Sequence, residues 1–272
     1  ASAVIRISAG GTASRATRAL AGEVPVSLTY NGIAHVVMMA TPRDITDFAV
    51  GFSLAEGIVG AASEIAGVEV REVPPGLLVR VDIPASRAEK LIDMRRGLVG
   101  QTGCGICGVT ELEHAIRALR PVGPPPVFTH AAVFRALAAL PEHQSLNRET
   151  GAVHAAAFAD AQGNILLARE DVGRHNALDK LVGALAGAGR NPASGFALVT
   201  SRCSFELVQK CASAGIPALA AISAPTDLAV DLARRAGLTL IALARRDSML
   251  VFNDPSGLFG PAAASSAERR RA

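Results

Sequence analysis

The sequence predicts an α/β protein with two domains: a small N-terminal α+β domain and a C-terminal domain with a mixed or parallel sheet flanked by helices. Two strand-like runs meet at an Asn-Gly pair in the first half, whereas strand and helix patterns alternate through the second. The proline-rich stretch PVGPPPV separates the halves. The chain has 272 residues and is 50% hydrophobic, which is enough for two ordinary cores. The predicted boundaries are a flexible arm over 1–22, the N-terminal domain over 23–120 with a cysteine loop at 97–108, a linker over 121–129, the C-terminal domain over 130–258 and a disordered tail over 259–272.

The first domain begins with a predicted β-hairpin. The runs VPVSLTY and IAHVVMM flank Asn31-Gly32, the preferred pair for a two-residue type I′ turn. Thr41 offers a capping hydroxyl and Pro42 suits the first helical position, so we predict a helix over 42–58. The arm before this hairpin shows no sustained period. The other predicted elements are strands at 68–73 and 77–83 and helices at 85–96 and 109–119.

The second domain alternates strands and helices. The runs VHAAAFAD and NILLARE are strand-like on either side of Gln162-Gly163, and a helix is predicted over 174–187. Short connections in a β-α-β-α-β order are typical of a parallel or mixed sheet between helices. The remaining predicted elements are strands in FALVTS, ALAAIS and LTLIALA, helices at 204–214 and 225–236, and a last strand at 249–253.

The composition argues against several classes of protein. Aromatic residues make up 4% of the chain and Trp is absent, so a platform that stacks nucleobases is not expected. The net charge is +3 and the arginine clusters are short and scattered, which argues against a nucleic acid polymer as partner. No apolar run approaches the ~20 residues of a membrane span, and the chain does not open with a signal-peptide pattern. We therefore expect a cytoplasmic protein without a membrane partner.

The clearest chemical signal comes from the cysteines. Cys104 and Cys107 lie in GCGICG, where glycines free the backbone and a helix starting near Val109 favours a thiolate on Cys107. A zinc knuckle, a thioredoxin-like redox pair, an inert pair and a mobile nucleophilic or sulfur-carrying loop are the open interpretations. The glycines favour the last, and we expect no resident metal. Cys203 and Cys211 lie on a predicted apolar helix, where core packing is the expected role.

Polar residues also gather where strands of the second domain meet helices. They occur in EDVGRHNALDK (170–180), in Thr200-Ser201-Arg202 after FALV and at Ser223 after ALAAI. Open α/β sheets place ligand sites at such strand ends, where helix N-termini attract anions. The alternative is a helix cap at Asp171 with Asp179 and Lys180 on a solvated face. A zinc deaminase is excluded, because the sequence VHAAAF has Ala where that chemistry needs Glu.

Several long blocks of the sequence resemble one protein family. NGIAHVVMMATPRDITDFAVGFSLAEGI, GCGICG, GAVHAAAF, REDVGRHNALDKLVGAL, SFELVQKCASAGIP and SAPTDLAVDLARRAGLTLIALAR are together similar to the formate dehydrogenase accessory sulfurtransferases, the FdhD family. The resemblance extends from about Val24 to Asn253. It implies a cytosolic homodimer whose C-terminal domain is cytidine-deaminase-like. It also implies that the protein accepts sulfur from a cysteine desulfurase and passes it to the molybdenum (or tungsten) bis(molybdopterin guanine dinucleotide) cofactor for formate dehydrogenase, with GDP as a further occupant.

The resemblance assigns roles to individual residues. Cys104 would carry a persulfide, with Cys107 as its assistant. At the end of LTLIALA this sequence has Leu243 in place of the family's Phe, and Asp247-Ser248 in place of a Gly-basic pair, but it keeps a basic residue at Arg245. The residues expected to bind the cofactor are Leu243, Ala244, Arg245, Arg246, Asp247, Ser248, Asp171, Arg174, His175, Asn176, Thr200, Ser201, Arg202 and Ser223.

These assignments give one mechanism and two alternatives. Cys104 would receive sulfur on a mobile loop, the loop would fold toward the nucleotide site, and Cys107 would help to release the sulfur by thiol exchange. A non-catalytic cofactor-binding chaperone would use the same strand-end residues without the cysteines. A redox-sensing module would need a reversible disulfide between Cys104 and Cys107 and no desulfurase.

Overall fold

The computed structural model describes residues 1–96, 119 and 121–260, except for the side chains of residues 90 and 92–96. The cysteine loop at 97–108, most of the helix expected at 109–119 and residues 261–272 of the expected tail lie outside the described residues.

Residues 1–22 differ from the flexible arm that we expected. β1 (Ser2–Ile7) and β2 (Ala13–Arg18) form an antiparallel hairpin, in which Ser8 N donates to Thr12 O at 3.0 Å across the turn. Nearly all side chains of both strands are exposed. The sequence therefore lacks the alternation of apolar and polar residues that predicts a half-buried strand. The end of β2 contacts the second domain, because Arg18 donates to the Thr150 carbonyl at 2.9 Å.

The N-terminal domain is a four-stranded sheet with two helices on one face. β3 and β6 are parallel, and the other neighbouring strands are antiparallel. Asn31 (φ 49°) and Gly32 (φ 82°) both have positive φ, which confirms the predicted type I′ turn. The helices pack on a core that includes Leu28 and Phe48. The elements are β3 (Val24–Tyr30), β4 (Ile33–Ala40), α1 (Ile45–Ala55), β5 (Gly67–Val73), β6 (Gly76–Asp82) and α2 (Ala85–Arg96), with the strands in the order β4-β3-β6-β5.

The start of α1 differs from the prediction. The helix begins at Ile45 rather than at Pro42, and Asp44 occupies its N-cap position without a side-chain cap hydrogen bond. The Thr41 hydroxyl instead accepts from Val172 N at 3.1 Å, a residue of the second domain. The residue that resembles a helix cap in the sequence therefore joins the two domains.

The C-terminal domain has a six-stranded mixed sheet, which confirms the predicted fold class. The strands are β7 (His154–Asp160), β8 (Ile165–Asp171), β9 (Gly195–Val199), β10 (Ala218–Ala221), β11 (Thr239–Ala242) and β12 (Leu250–Asn253). They lie in the order β12-β11-β10-β9-β7-β8. β9, β10 and β11 are parallel to one another, whereas the other neighbouring pairs are antiparallel. The cytidine-deaminase-like relationship stays a prediction.

Helices cover both faces of this sheet. α5 (Arg174–Gly187), with the bounds that the sequence predicts, packs on one face with α6 (Phe205–Ser213) and α7 (Asp227–Ala236). α3 (His130–Ala139) packs on the other face. Neither α3 nor the short α4 (Ser145–Thr150) has a counterpart among the predicted elements, and the buried stripe of α3 consists mostly of alanine, which is a weak periodic signal.

The predicted linker is packed rather than free. Residues 121–129 have no helix or strand, but Pro125 and Phe128 are buried, and Phe128 stacks on Phe196 of β9. In the part of the chain that the structure describes, the search for a helix of membrane-spanning length and hydropathy found none.

The two domains meet where α1 crosses α5 at two glycines. A Cβ atom on Gly51 would lie 1.7 Å from the Asp179 carbonyl oxygen, and a Cβ atom on Gly183 would lie 1.9 Å from the Asp47 carbonyl oxygen. These distances are far inside van der Waals contact, so neither position can hold a side chain unless the helices separate. α5 therefore lies in the domain interface, and its first turn directly follows the carboxyl end of β8.

Candidate functional site

The carboxyl ends of strands β8, β9, β10 and β11 lie on one side of the C-terminal sheet, here called the carboxyl edge. Because β9, β10 and β11 are parallel, the residues that follow them (200–202, 223 and 243–248) lie side by side. β7 is antiparallel to both β8 and β9, so β8 ends at the same edge and is followed there by residues 171–176. The structure therefore places every residue that we predicted to bind the cofactor at the carboxyl edge. Their contact with a cofactor stays a prediction.

Asp171 lies at the base of the carboxyl edge and has no exposed surface. Its carboxylate accepts from Thr41 N at 2.9 Å, Gly173 N at 2.8 Å, Asn176 Nδ2 at 3.0 Å and Lys180 Nζ at 2.6 Å. Four donors match the acceptor capacity of an ionised carboxylate. Asn176 is also buried and donates its second amide proton to a carbonyl of β4 at 2.8 Å. The buried side chains of Asp171 and Asn176 thus join the carboxyl edge to the N-terminal domain by hydrogen bonds.

Asp179 and Lys180 are buried, so the alternative that placed them on a solvated face is wrong. Burial lowers the pKa of Lys180, although the Asp171 carboxylate raises it. Asp179 accepts from Lys210 Nζ at 2.8 Å and 2.9 Å. These polar residues of α5 belong to the domain interface, which the sequence could not show because their partners lie on other elements.

The first turn of α5 and the first turn of α6 form a half-buried polar cluster. His175 Nε2 lies 2.7 Å from Glu206 Oε2 and 3.3 Å from Ser204 Oγ. Arg174 Nη2 lies 4.0 Å from the same Glu206 oxygen, and the buried Arg174 Nε has no hydrogen-bond partner within the described residues. Burial raises the pKa of Glu206, but the His175 hydrogen bond and the nearby positive charges outweigh burial and hold it below its usual value. Glu206 is therefore a carboxylate at neutral pH.

His154 belongs to the same cluster. Its Nδ1 lies 3.4 Å from Thr200 Oγ1, which also accepts from Ala155 N at 2.9 Å. Burial lowers the pKa of His154, and the positive charges of Arg174 and His175 lower it further. His154 is therefore a neutral imidazole at neutral pH.

The predicted site residues did not include His154, Ser204 or Glu206. All three lie within the blocks GAVHAAAF and SFELVQKCASAGIP, so the sequence contained a signal. His154 is the first residue of a strand that ends at the opposite edge, and Glu206 resembles an ordinary acid in the first turn of a helix. Only the pairing of β7 between β8 and β9 shows that they meet.

The remaining loops of the carboxyl edge differ in exposure. Ser201 is buried and its hydroxyl donates to the Arg202 carbonyl at 2.9 Å, whereas the side chain of Arg202 is exposed and Ser223 is half-buried. Residues 245–248 are exposed. Leu243 has a φ of 50°, a left-handed conformation that costs an L-residue other than glycine about 1–2 kcal/mol; strained residues of this kind cluster at functional sites.

The cysteines divide into two groups. Cys104 and Cys107 lie outside the described residues. Cys203 and Cys211 are fully buried, which confirms core packing; burial raises the pKa of Cys203 to about 12 and that of Cys211 further. Cys203 precedes α6 rather than lying on it. Both side chains are therefore thiols at neutral pH, unsuited to nucleophilic attack.

The described residue nearest the C-terminal side of the cysteine loop lies far from the carboxyl edge. Leu119 lines a cleft of about 700 Å³ between the domains, together with Leu185 near the end of α5 and Ala212 near the end of α6. Val122 N donates to the Ala236 carbonyl at the end of α7. Because these helices begin at the carboxyl edge, their ends lie at the opposite edge of the sheet. Among the described residues, no cluster of three or more His, Cys, Asp or Glu side chains could hold a metal ion.

Comparison with known proteins gives consistent matches over most of the chain. The model of the FdhD/NarQ family matches residues 21–259. The sulfur carrier protein FdhD of Bordetella bronchiseptica is 49% identical over 236 residues, which cover 87% of this chain and 86% of that protein. The protein of the same name from Variovorax paradoxus is 50% identical over 241 residues, which cover 89% and 87%. A crystal structure from Desulfotalea psychrophila, described as a candidate formate dehydrogenase accessory protein, has a TM-score of 0.72 at 25% identity and covers 94% of this chain and 96% of its own.

Proposed function

The chain belongs to the FdhD/NarQ family, and from that premise we propose that it is a sulfur carrier for formate dehydrogenase maturation. It takes sulfur from a cysteine desulfurase as a persulfide on Cys104 and delivers it to the molybdenum or tungsten bis-guanine-dinucleotide cofactor. The observation that carries the proposal is the identity of about half of the aligned residues, over 87–89% of the chain, with proteins named sulfur carriers.

The carboxyl edge supports the cofactor half of the proposal. Arg174, Arg202 and Arg245 bring three guanidinium groups to one edge, and such groups bind phosphate oxygens in bidentate pairs. The buried Arg174 Nε lacks a partner within the described residues, and a phosphate oxygen would satisfy it. The bis-guanine-dinucleotide cofactor carries two diphosphates and is the cargo of the reaction, so the edge has to bind it and release it.

The cysteine loop supplies the sulfur chemistry. The Cys104 thiolate attacks the terminal sulfur of the desulfurase persulfide, and the desulfurase cysteine leaves as a thiolate. The Cys107 thiolate then attacks Cys104 Sγ, which forms a disulfide between the two and releases the terminal sulfur as sulfide for the metal. A cellular dithiol reduces that disulfide before the next cycle. This half of the proposal is supported by the sequence and the family, because both cysteines lie outside the described residues.

The partners follow from this chemistry. They are a cysteine desulfurase, formate dehydrogenase as the client enzyme and a second copy of the chain in a homodimer, all in the cytoplasm. A nucleic acid polymer and a membrane play no part in the proposal.

Persulfide formation is the first test. The full chain is mixed with a cysteine desulfurase and cysteine, and its peptides are examined by mass spectrometry. We expect one added sulfur atom on Cys104, and none on that peptide in Cys104→Ala, which should also fail to mature the client while melting like the parent. An active client with Cys104→Ala would refute the persulfide assignment. Client maturation without any sulfur adduct would favour the non-catalytic chaperone, and a disulfide between Cys104 and Cys107 that forms without a desulfurase would favour the redox module.

Nucleotide preference tests the other half. Titration with GDP and with ADP by calorimetry should show tighter binding of GDP, because the proposed cargo carries guanine. Equal or absent heats would remove the nucleotide site from residues 171–176, 200–202 and 243–248.

A further inference from the structure

Glu206 Oε2 lies within 4.0 Å of both basic side chains at the start of α5, Arg174 and His175. A carboxylate beside an anion site weakens binding by repulsion unless it also serves the site. We propose that Glu206 is a positioning residue, which holds a proton on His175 and leaves Arg174 free to bind a diphosphate group of the nucleotide-bearing cargo. This inference rests on the proposed function and deepens it, because it names a residue that organises the phosphate contacts.

The distances assign Glu206 to one of the two cations. His175 Nε2 is 2.7 Å from Glu206 Oε2, the length of a charge-assisted hydrogen bond. An ionised carboxylate can only accept, so Nε2 has to carry a proton. Arg174 Nη2 is 4.0 Å from the same oxygen, too far for a hydrogen bond, and Arg174 Nε donates to no described residue. Glu206 therefore bonds to His175 and leaves the guanidinium donors available to a ligand.

His154 shows the effect of this cluster on an imidazole without a carboxylate. It has only the Thr200 hydroxyl at 3.4 Å, and burial together with the charges of Arg174 and His175 lowers its pKa. His175 differs from His154 in that the Glu206 carboxylate lies 2.7 Å from its Nε2 and places a negative charge beside the ring.

The other groups around this contact do not replace Glu206. Ser204 Oγ lies 3.4 Å from Glu206 Oε2 and adds a neutral donor. Lys210, further along α6, also acts on Glu206 through its charge, but its ammonium group is bonded to Asp179 and Glu56. Within the described residues, the titratable or charged groups of this cluster are thus Glu206, Lys210, Arg174, His175 and His154.

The sign of a charge-removing substitution separates positioning from simple repulsion. GDP affinity is measured by calorimetry on the full chain for the parent, Glu206→Gln and Glu206→Asp, with Glu72→Gln, an exposed acid on β5, as a matched control. If Glu206 only repels the ligand, Glu206→Gln binds GDP more tightly. If it positions His175, Glu206→Gln binds about tenfold more weakly near pH 8, as expected for one lost charge-assisted contact. Glu206→Asp keeps the charge and should stay within about threefold of the parent.

The pH dependence gives an independent readout. An imidazole of ordinary pKa is mostly neutral near pH 8 and gains a proton as the pH falls below about 6, so the ratio of the Glu206→Gln and parent dissociation constants should be largest near pH 8 and should fall as the pH is lowered. Ionisation of GDP affects both proteins equally and cancels in this ratio.

Four outcomes would overturn the inference. Equal or tighter GDP binding by Glu206→Gln near pH 8 excludes positioning, as does a weaker binding whose ratio to the parent is the same near pH 6 and pH 8. If Glu206→Gln melts well below the parent, Glu206→Asp decides, and a folded Glu206→Asp with a tenfold loss rejects the role of the charge. A parent protein that binds no GDP refutes the proposed nucleotide site itself, and this inference with it, whereas the other three outcomes leave that site intact.

Discussion

The first turn of α5 and the turns that follow it contrast two kinds of polar site on one helix. Arg174 and His175 are half-buried, and the buried Arg174 Nε has no hydrogen-bond partner within the described residues. Asp179 and Lys180, one turn further along, are fully buried. Lys180 donates across the domain interface to the Thr41 carbonyl, and Asp179 accepts from Lys210, which also bonds to Glu56 of the first domain. In the sequence these residues form one continuous motif, RHNALDK. A run of polar residues in the sequence therefore indicates a segment with a specific role. Only the hydrogen-bond partners in the folded protein show whether that role is ligand binding or structural.

The two parts of α5 should respond differently to substitution. Changes in the buried part of α5 should lower stability and leave the binding properties of the folded fraction unchanged. Changes at the carboxyl edge should do the reverse.

Lys180→Met should destabilise the protein most. It removes the ammonium group that contacts Asp171 Oδ2 and the Thr41 carbonyl, and it leaves a fully buried carboxylate without its counter-charge. Breaking a buried pair from one side costs about 3–5 kcal/mol of unfolding free energy. Urea unfolding measures the loss, and adding Asp171→Asn to Lys180→Met should recover part of it, since the orphaned charge is then removed. A loss below about 1 kcal/mol would contradict the structural role of the pair.

Gly51→Ala should come next. Its new methyl group would overlap the Asp179 carbonyl and force α1 away from α5, at a cost of up to about 3 kcal/mol. Gly187→Ala is the matched control, because Gly187 ends α5 and a Cβ atom there has no neighbour within 4 Å. That variant should be neutral or stabilised by about 0.5 kcal/mol through reduced backbone entropy of the unfolded chain. Equal thermal melting of the two variants would mean that the helices do not cross closely at Gly51.

The parts of the fold that the sequence predicted are those with local causes. The turn at Asn31-Gly32 and the bounds of α5 follow from residues within a few positions of each other. Thr41 could not be interpreted in this way, because its hydroxyl bonds to Val172, 131 residues further along the chain. The burial of Lys180 has the same origin, since its partner carbonyl belongs to the other domain.

The candidate site follows the same rule. Alternating strands and helices were sufficient to place residues 200–202, 223 and 243–248 at one edge, because parallel strands share an edge. Glu206 was not found, since its partner His175 lies on another helix and the sequence offers no pattern that joins them. The positive φ of Leu243 is also a tertiary property, imposed on a residue that normally avoids it.

Arg245→Glu tests the carboxyl edge from the side farthest from α5. Reversing an exposed charge beside the proposed diphosphate should weaken GDP binding about tenfold, or about 1.4 kcal/mol, because repulsion replaces attraction. Thermal melting and persulfide content of Cys104 should not change. Arg235→Glu, an exposed residue in the last turn of α7, is the matched charge reversal and should leave GDP binding intact. Unchanged binding in Arg245→Glu would reject the contact, and loss of both binding and persulfide would indicate misfolding.

His154 gives the smallest effect and connects the two kinds of site, because it affects stability from within the carboxyl edge. The fold lowers its pKa from the ordinary value of 6.5, so below that pH the unfolded chain binds a proton that the folded protein resists. The neutral imidazole therefore contributes stability above about pH 6.5, and this contribution is lost as the pH falls through the lower folded value. Because the group is partly exposed, the loss should stay below about 1 kcal/mol.

Urea unfolding between about pH 7.5 and 5 should show a shallower decline for His154→Gln than for the parent, since glutamine keeps a polar group beside Thr200 but does not titrate. Glu206 does not interfere, because its pKa is lowered from 4.5 and its contribution is lost only at more acidic pH. Identical slopes for the two proteins would mean that His154 meets neither the burial nor the positive charges that the cluster places around it.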